Sequence, residues 1–166
     1  MPQQDGTVLC PGSYDPVTNG HIDIIFRSSK VFERVVVCVV NNPLRKERTL
    51  FTAEERQAFI EAATAELGNV EVRTFSNLLV ELARELGAKS IVKGLRAISD
   101  FEYEFEMAQL NRKLDPGIES IYMIASPEYS FLSSTGVKEM ATFGGDVSDL
   151  VPGPVAAAMA ERLSER

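Results

Sequence analysis

The chain has a single histidine, and its neighbours suit it to phosphate chemistry. His21 follows Gly20 and directly precedes an apolar helical pattern, so it falls in the first turn of a predicted helix. Unpaired backbone N–H groups and the helix dipole favour an anion at that place, and Gly20 lets a ligand approach the backbone closely. The alternative is an ordinary capped helix whose histidine lies at the surface or is hydrogen-bonded in the core. We favour the anion site.

Two cations surround a glycine further along the chain. Lys93 and Arg96 flank Gly94 directly after an apolar strand pattern. Arg96 can hold phosphate oxygens in a bidentate fork, whereas Lys93 acts as a point charge. The alternative is a solvated basic turn that pairs with Asp100 and Glu102. Taken alone, the two cations favour that alternative.

Three consecutive hydroxyl residues, Ser133, Ser134 and Thr135, precede another predicted helix. Their hydroxyls and backbone N–H groups can donate hydrogen bonds to phosphates, and Lys138 would add positive charge one turn further on. A plain Ser/Thr helix cap explains the segment equally well.

Arg45 and Lys46 lie in the loop after the second predicted strand, where a charged surface loop is the default interpretation. The convergence of four loops favours a binding site instead, because together they bring histidine, cations, hydroxyls and glycines to one predicted edge of a β-sheet. A net-acidic chain that concentrates cations there indicates a polyphosphate site. The chain contains neither a P-loop nor a Gly-x-Gly-x-x-Gly turn, which excludes a P-loop phosphotransferase and an ordinary NAD enzyme.

The elements that must position these loops alternate between strands and helices. Continuous apolar runs at residues 8–10 and 35–40 indicate strands covered on both faces. The remaining strand candidates are residues 69–75, where apolar residues alternate, 90–92 and 120–125. The alternation predicts an α/β fold with a mostly parallel five-stranded sheet and helices on both faces. Ligands of such sheets bind at the carboxyl ends of the strands, where the strand order reverses. That edge holds loops 11–21, 41–51, 93–100 and 126–138.

Several helix ends are also predictable from the sequence. Thr52 with Glu55 and Ser99 with Glu102 form capping-box patterns. Gly87 stands where a helix over residues 78–86 should stop, and an Ala-rich helix is expected at about residues 154–164. The helix that begins near Thr52 is predicted to have an apolar face formed by Ala58, Phe59, Ala62 and Ala63.

Composition bounds the class of protein. The 166 residues suit one domain, 1–166, and the 24 acidic against 17 basic side chains give a formal charge of −7. Nucleic acid and membranes are therefore not expected as partners, and we expect a cytoplasmic protein, since neither a membrane span nor a signal peptide is visible. Cys10 and Cys38 lie in apolar runs and form neither a disulfide framework nor a zinc site.

The motifs together resemble a known family. Residues 18–21, Thr-Asn-Gly-His, are similar to the (H/T)xGH signature of nucleotidylyltransferases, and Ser133 to Thr135 with Lys138 resemble their serine-rich second signature. Residues 11–16, 93–96, 100–104 and 144–147 add a closer resemblance to bacterial phosphopantetheine adenylyltransferases, extending from about residue 8 to residue 152. The resemblance implies a Rossmann-like nucleotidylyltransferase fold. It also implies transfer of AMP from ATP to 4′-phosphopantetheine, which yields dephospho-coenzyme A and pyrophosphate.

The resemblance also implies roles for individual residues. His21, Lys46 and Arg96 would be catalytic, and Ser13, Lys46, Leu79 and Lys93 would bind the acceptor. ATP would contact Ser13, Tyr14, His21, Gly94, Leu95, Arg96, Glu104, Tyr129, Ser130, Phe131, Leu132, Ser133, Ser134 and Thr135. Magnesium would be bound through the ATP phosphates with no metal ligand from the protein, and a homohexamer is implied.

The chain departs from the family pattern at two places. Thr135 and Gly136 replace a serine and an aliphatic residue, and the 41–51 loop is about two residues longer. The phosphate-binding lysine of the family is therefore Lys46 or is replaced by Arg45, and we predict Lys46.

The motifs are also compatible with two other functions. One is a nucleotidylyltransferase of the same superfamily with another acceptor, of the cytidylyl or nicotinamide-mononucleotide type. The other is a regulatory module that binds a nucleotide without turnover. The intact His, Lys/Arg and Ser set argues against the second, because a sensor needs affinity but no donors aimed at a transition state.

Overall fold

The structure is a computed structural model that describes residues 6–42 and 48–165. Within them a single five-stranded parallel sheet has the order β3-β2-β1-β4-β5, which confirms the predicted fold class. The strands are β1 (Thr7–Gly12), β2 (Arg34–Val40), β3 (Val70–Phe75), β4 (Ser90–Leu95) and β5 (Glu119–Ile124). The five consecutive residues from Val35 to Val39 in β2 are fully buried, as expected for a central strand covered on both faces.

Helices cover both faces of the sheet. They are α1 (Asn19–Val31), α2 (Ala53–Ala63), α3 (Leu79–Leu86), α4 (Ile98–Leu114), α5 (Ser134–Thr142) and α6 (Gly153–Ser164). The core on one face takes Ile25 from α1, Ile60 from α2 and Met159 from α6. The core on the other face is smaller and is filled mainly by α3. No helix among the described residues is both long and apolar enough to cross a membrane.

Helix ends follow the sequence at three places and depart from it at one. The Thr52–Glu55 capping box forms as predicted, Gly87 ends α3 in the left-handed conformation with a φ of 68°, and α6 matches the predicted final helix. The Ser99–Glu102 capping box is wrong, because α4 begins at Ile98 with Ala97 as its N-cap. Asp100, at the third helical position, accepts the Arg96 N–H instead.

The predicted buried face of α2 is only partly correct. Phe59 and Ala63 are half-buried, whereas Ala58 and Ala62 are exposed. The fully buried residues of this helix are Ala53, Arg56 and Ile60, spaced three and four apart on one face. An arginine takes a core-facing position because backbone carbonyls accept its hydrogen bonds, as described below.

β1 and β4 are longer than predicted, so residues 11–12 and 93–95 lie in strands rather than in loops. The glycine in β4 has a packing reason, since a Cβ at Gly94 would stand 3.0 Å from the Ile24 side chain of α1. β1 pairs with β2 over six residues but with β4 only at Val8 and Leu9. β1 and β4 therefore separate toward their carboxyl ends, at the point where the strand order reverses.

Candidate active site

A cavity of about 510 Å³ opens where β1 and β4 separate. Its lining includes residues from three of the four loops that the sequence singled out. The predicted site residues that line it are Tyr14, His21, Lys93, Gly94, Arg96, Glu104, Tyr129, Leu132, Ser133, Ser134 and Thr135. These residues, up to 121 positions apart in sequence, thus meet at one edge of the sheet, as the convergence argument predicted.

Other predicted site residues lie outside this lining. Ser13 borders a second cavity of about 300 Å³ beside Arg56, and Leu79 is half-buried against the core of the opposite face. Leu95 is half-buried at the end of β4, and Ser130 and Phe131 are exposed. Lys46 and its alternative Arg45 lie outside the described residues, so their assignment stays a prediction.

His21 occupies the third position of α1, in the first turn as predicted. The Thr18 side chain caps the helix by accepting the His21 N–H, and the His21 ring completes the box by accepting the Thr18 N–H at 3.0 Å through Nδ1. Because a backbone N–H must donate, Nδ1 carries no proton and the neutral ring holds its proton on Nε2. The capping box therefore selects the tautomer in which Nε2 can donate.

The surroundings keep this imidazole neutral. Burial and, to a smaller extent, the positive charge of Arg96 together lower the pKa of His21 to about 4. The Tyr14 ring packs edge-on against it with 5.0 Å between ring centroids. At neutral pH the site presents a positioned N–H donor rather than a fixed positive charge.

Tyr14 itself has an unusual backbone. Its φ of 51° is positive, which is rare for a residue other than glycine. The ring is buried, and its hydroxyl donates to the Cys10 carbonyl at 2.9 Å. Backbone strain of this kind is held by surrounding contacts and concentrates at functional sites. Here it places the tyrosine ring beside His21 in the cavity wall.

Lys93 and Glu104 form an ion pair of 2.8 Å inside the cavity. The second carboxylate oxygen of Glu104, Oε2, is buried and has no hydrogen-bond partner among the described residues. A buried acceptor without a donor is costly, so this atom marks a place where a ligand hydroxyl or amino group would be stabilised.

Arg96 connects the β4–α4 turn to the segment before α5. It pairs with Asp100 at 3.1 Å, and its Nη1 donates to the Leu132 carbonyl at 2.8 Å. The alternative interpretation of the basic turn is thus partly realised, since Arg96 does pair with Asp100. Arg96 and Asp100 both line the cavity. The same arginine therefore pairs with an acid, as the solvated-turn interpretation expected, and borders the cavity, as the phosphate-site interpretation expected.

The hydroxyl segment is also partly committed to structure. Ser133 caps α5 by accepting the Gly136 N–H at 3.0 Å, and Ser134 donates to the Pro16 carbonyl at 2.7 Å. Lys138, expected to add charge for phosphates, pairs with Asp15 at 3.2 Å instead. Its ammonium is drawn to the buried carboxylate, and the expected contribution of Lys138 to phosphate binding stays a prediction.

Asp15 and Arg56 are two buried polar residues that sequence reasoning missed. Asp15 accepts the backbone N–H groups of Leu50 and Phe51 at 2.8 and 2.9 Å. Arg56 donates to four carbonyls, those of Phe51, Thr52, Ser13 and Val40. A lone acid inside an uncharged turn, and an arginine spaced three and four from Ala53 and Ile60, were the available signals.

The arrangement combines one neutral N–H donor, two cations and a helix N-terminus around a single cavity. Such donors stabilise negative charge that develops on phosphoryl oxygens. Cys10, His21 and Asp100 all line this cavity, but the His21 ring hydrogen-bonds to Thr18 and the Cys10 thiol to Ser28, so within the described residues they form no Ser-His-Asp or Cys-His pairing. The geometry suits transfer between two bound phosphates better than covalent catalysis.

Comparison with known proteins agrees with this chemistry. Residues 9–140 match the family model described as cytidylyltransferase-like. The crystal structure of the lipopolysaccharide core biosynthesis protein from Thermoplasma volcanium GSS1 superposes with a TM-score of 0.52 at 23% identity, covering 73% of this chain and 96% of that one. At this identity the likeness concerns the fold alone. Fold and site together define a cytidylyltransferase-like nucleotidylyltransferase.

Sequence relatives narrow the class. The phosphopantetheine adenylyltransferase of Alkaliphilus metalliredigens (strain QYMF) is 53% identical over 154 residues, covering 93% of this chain and 97% of the relative. Those of Rubrobacter xylanophilus and Staphylococcus carnosus are 56% and 47% identical, covering 87% and 97% of this chain and 87% and 99% of the relatives. The chain belongs to the phosphopantetheine adenylyltransferase family.

Proposed function

We propose that the chain transfers AMP from ATP to 4′-phosphopantetheine, giving dephospho-coenzyme A and pyrophosphate. The observation that carries this proposal is the neutral, tautomer-selected His21 beside Lys93 and Arg96 in one cavity. Membership of the family supplies the acceptor. The transfer is a step in coenzyme A biosynthesis.

The reaction is a displacement at the α-phosphorus of ATP. A phosphate oxygen of the acceptor forms the new P–O bond, the bond to the β-phosphate breaks, and pyrophosphate leaves with its electrons. No protein nucleophile is needed, because alignment and charge stabilisation supply the catalysis. His21 Nε2–H donates to the α-phosphoryl oxygens as their negative charge grows. Lys46 is proposed to contact both the attacking oxygen of the acceptor phosphate and the oxygen that bridges the α- and β-phosphates of ATP.

The remaining residues divide between the two substrates. ATP is proposed to contact Arg96, Gly94, Leu95 and residues 129–135, together with Tyr14. Glu104 Oε2, the buried oxygen without a partner, is proposed to accept a hydrogen bond from the nucleoside. Lys93 and Ser13 are proposed for the acceptor phosphate and Leu79 for the pantetheine arm.

Magnesium is proposed to arrive with ATP. Within residues 6–42 and 48–165 no group of three or more His, Cys, Asp or Glu side chains is arranged to hold a metal ion. The cavity carboxylates of Asp100 and Glu104 are each paired with a cation. This donor set fits an ion held mainly by the β- and γ-phosphates, where it would neutralise charge on the leaving pyrophosphate.

The proposal includes a homohexamer. Along α4 none of the described side chains is buried, and Ile98, Phe101, Tyr103, Phe105, Leu110 and Leu114 are exposed. Apolar exposure on this scale is typical of an interface. Light scattering should give a mass of about 110 kDa, six copies of the 18.3 kDa chain; the mass of a single chain would contradict the hexamer.

The cytoplasm is proposed as the compartment. Cys10 and Cys38 are free thiols buried in neighbouring strands, and burial raises the pKa of each to about 12. Free thiols fit a reducing compartment.

The first experiment measures pyrophosphate release from MgATP with 4′-phosphopantetheine and, in parallel, with pantetheine lacking the phosphate. Release with the phosphorylated acceptor alone is expected, since the cations would bind that phosphate. If ATP binds and neither acceptor gives release, the adenylyl transfer proposed here is wrong. A screen of other phosphorylated acceptors and nucleotides would then separate a different transferase from a non-catalytic module.

A further inference from the structure

A buried carboxylate outside the cavity lining connects three segments around it. Asp15 is 5% exposed. Its Oδ1 accepts the Phe51 N–H at 2.9 Å, and its Oδ2 accepts the Leu50 N–H at 2.8 Å and Lys138 Nζ at 3.2 Å. A carboxylate removed from water is stable only when its oxygens are compensated in this way. Asp15 thus links the β1–α1 loop to the segment before α2 and to α5.

A second hydrogen bond links α5 to the same loop. Ser134, the first residue of α5 and part of the cavity lining, donates to the Pro16 carbonyl at 2.7 Å. Lys138 reaches Asp15 from one turn further along. The hydroxyl segment is therefore fixed at two points to the loop that leads into His21.

Arg56 joins two of the segments that Asp15 also links, the β1–α1 loop and the segment before α2. It is 3% exposed, and its Nη1 donates to the carbonyls of Ser13 at 2.6 Å and Val40 at 2.9 Å. Its Nε donates to the Phe51 carbonyl at 3.2 Å, while the Phe51 N–H donates to Asp15. Both backbone polar groups of Phe51 are thus hydrogen-bonded, its N–H to Asp15 and its carbonyl to Arg56. Because Arg56 also donates to the Ser13 carbonyl, these contacts form a closed ring.

We propose that Asp15 is a positioning residue that sets the distance between the acceptor-binding and ATP-binding segments. The inference rests on the proposed function, in which Ser13 meets the acceptor phosphate and the hydroxyl segment meets ATP. In-line transfer needs the reacting atoms about 3–3.5 Å apart. Ser13 lies two residues before Asp15, and the hydroxyl segment is held to Asp15 and Pro16 through α5, so one carboxylate fixes both.

The test is the variant Asp15→Asn. The amide keeps the volume and one acceptor, but it places an NH₂ against a backbone N–H and leaves Lys138 without its ion pair. We expect kcat to fall about tenfold or more, while the KM values for ATP and for the acceptor stay within about threefold. Each substrate keeps its own contacts and only their alignment is lost. A folded variant with kcat within about twofold of wild type would overturn the inference.

Glu55→Gln is the matched control. Glu55 also accepts a backbone N–H, that of Thr52 at 2.8 Å, and it pairs with Arg162, which in turn holds the Leu50 carbonyl at 2.8 Å. This variant loosens the same segment from its outer side. We expect a lower Tm with kcat within about twofold of wild type. An equal loss of kcat in both variants would mean general loosening and would overturn the inference.

A second variant covers the case in which Asp15→Asn does not fold, as judged by circular dichroism. Lys138→Met keeps both backbone hydrogen bonds of Asp15 and removes only the link to α5. We expect kcat to fall about threefold or more with unchanged KM values; unchanged kcat overturns the inference. Wild-type protein is assayed alongside, and its failure to release pyrophosphate contradicts the proposed function itself. An active wild type with unaffected variants contradicts the positioning role alone.

Discussion

The two walls of the cavity are built on different principles. The histidine wall (Tyr14, Thr18 and His21) is held by backbone hydrogen bonds and packing, with a buried tyrosine and a capping box. The cation wall (Lys93, Arg96, Asp100 and Glu104) is held mainly by ion pairs between side chains that are between 13% and 34% exposed, with one further hydrogen bond from Arg96 to the Leu132 carbonyl.

The difference shows which groups are preorganised and which must exchange partners. The donor of His21 is set before any ligand arrives, so it costs no reorganisation when charge develops. Lys93 and Arg96 must share or leave their carboxylates to meet a phosphate, and that exchange reduces the net gain from each contact. The histidine wall should therefore govern the rate, and the cation wall the affinity.

His21→Ala should give the largest effect. We expect turnover to fall by about 100-fold or more, since loss of one donor to a developing oxyanion typically costs about 2.7–4 kcal/mol. ATP affinity should change little, because a neutral imidazole adds no charge to the ground state. Pyrophosphate release and calorimetric ATP binding measure the two quantities.

The control for His21→Ala is Ser28→Ala, which removes a part-buried hydrogen bond of 2.8 Å to the Ile24 carbonyl in the same helix, from a side chain that does not itself line the cavity. It should lower stability and leave turnover in place. Near-normal turnover in His21→Ala would contradict the role of the histidine wall.

Lys93→Met should act mainly on affinity. A hydrogen bond to a charged group contributes about 1.5–3 kcal/mol. When Lys93 binds the acceptor phosphate it gives up part of its ion pair with Glu104, and that loss offsets part of the contribution. We therefore expect the KM for 4′-phosphopantetheine to rise about tenfold with a smaller change in kcat. Initial rates at varied acceptor concentration measure both.

Two variants sharpen the test at position 93. Lys93→Arg keeps the charge and should retain most of the acceptor affinity. Lys113→Met removes an exposed lysine from the last turn of α4 and should change neither constant. A fall in kcat alone in Lys93→Met would place this lysine with the rate-determining donors and break the division between the walls.

Much of the fold and of the cavity edge could be predicted because the signals are local. Continuous apolar runs such as Val35 to Val39 mark buried strands, and the apolar helical pattern that follows Gly20 places His21 in the first turn of a helix. The Rossmann-type sheet then brings separate loops to one edge without any knowledge of their contacts.

The contacts between loops could not be predicted in the same way. Asp15 meets Lys138 across 123 positions, and Arg56 meets Ser13 across 43. Hydropathy patterns treat Arg56 as solvent-facing, because they cannot register backbone carbonyls that arrive from other segments. The capping box at Ser99 failed because α4 begins earlier, at Ile98, so that Asp100 takes the third helical position and accepts the Arg96 N–H.

The smallest expected effect couples the two walls through the pKa of His21. Burial is the larger cause of its value of about 4, and the charge of Arg96 is the smaller. Arg96→Met should therefore raise the pKa of His21 while leaving it well below 6.5. Because the chain has one histidine, an NMR titration follows a single imidazole signal.

The sign of the pH effect on stability follows from the same value. The unfolded chain binds the His21 proton near pH 6.5, whereas the folded chain binds it only near pH 4. The contribution of His21 to folding is therefore most favourable above pH 6.5 and becomes less favourable as the pH falls toward 4. Arg96→Met should weaken this dependence. A wild-type His21 that titrates near 6.5 would mean that the ring is charged as readily as in water, and the histidine wall would then act through charge, as the cation wall does.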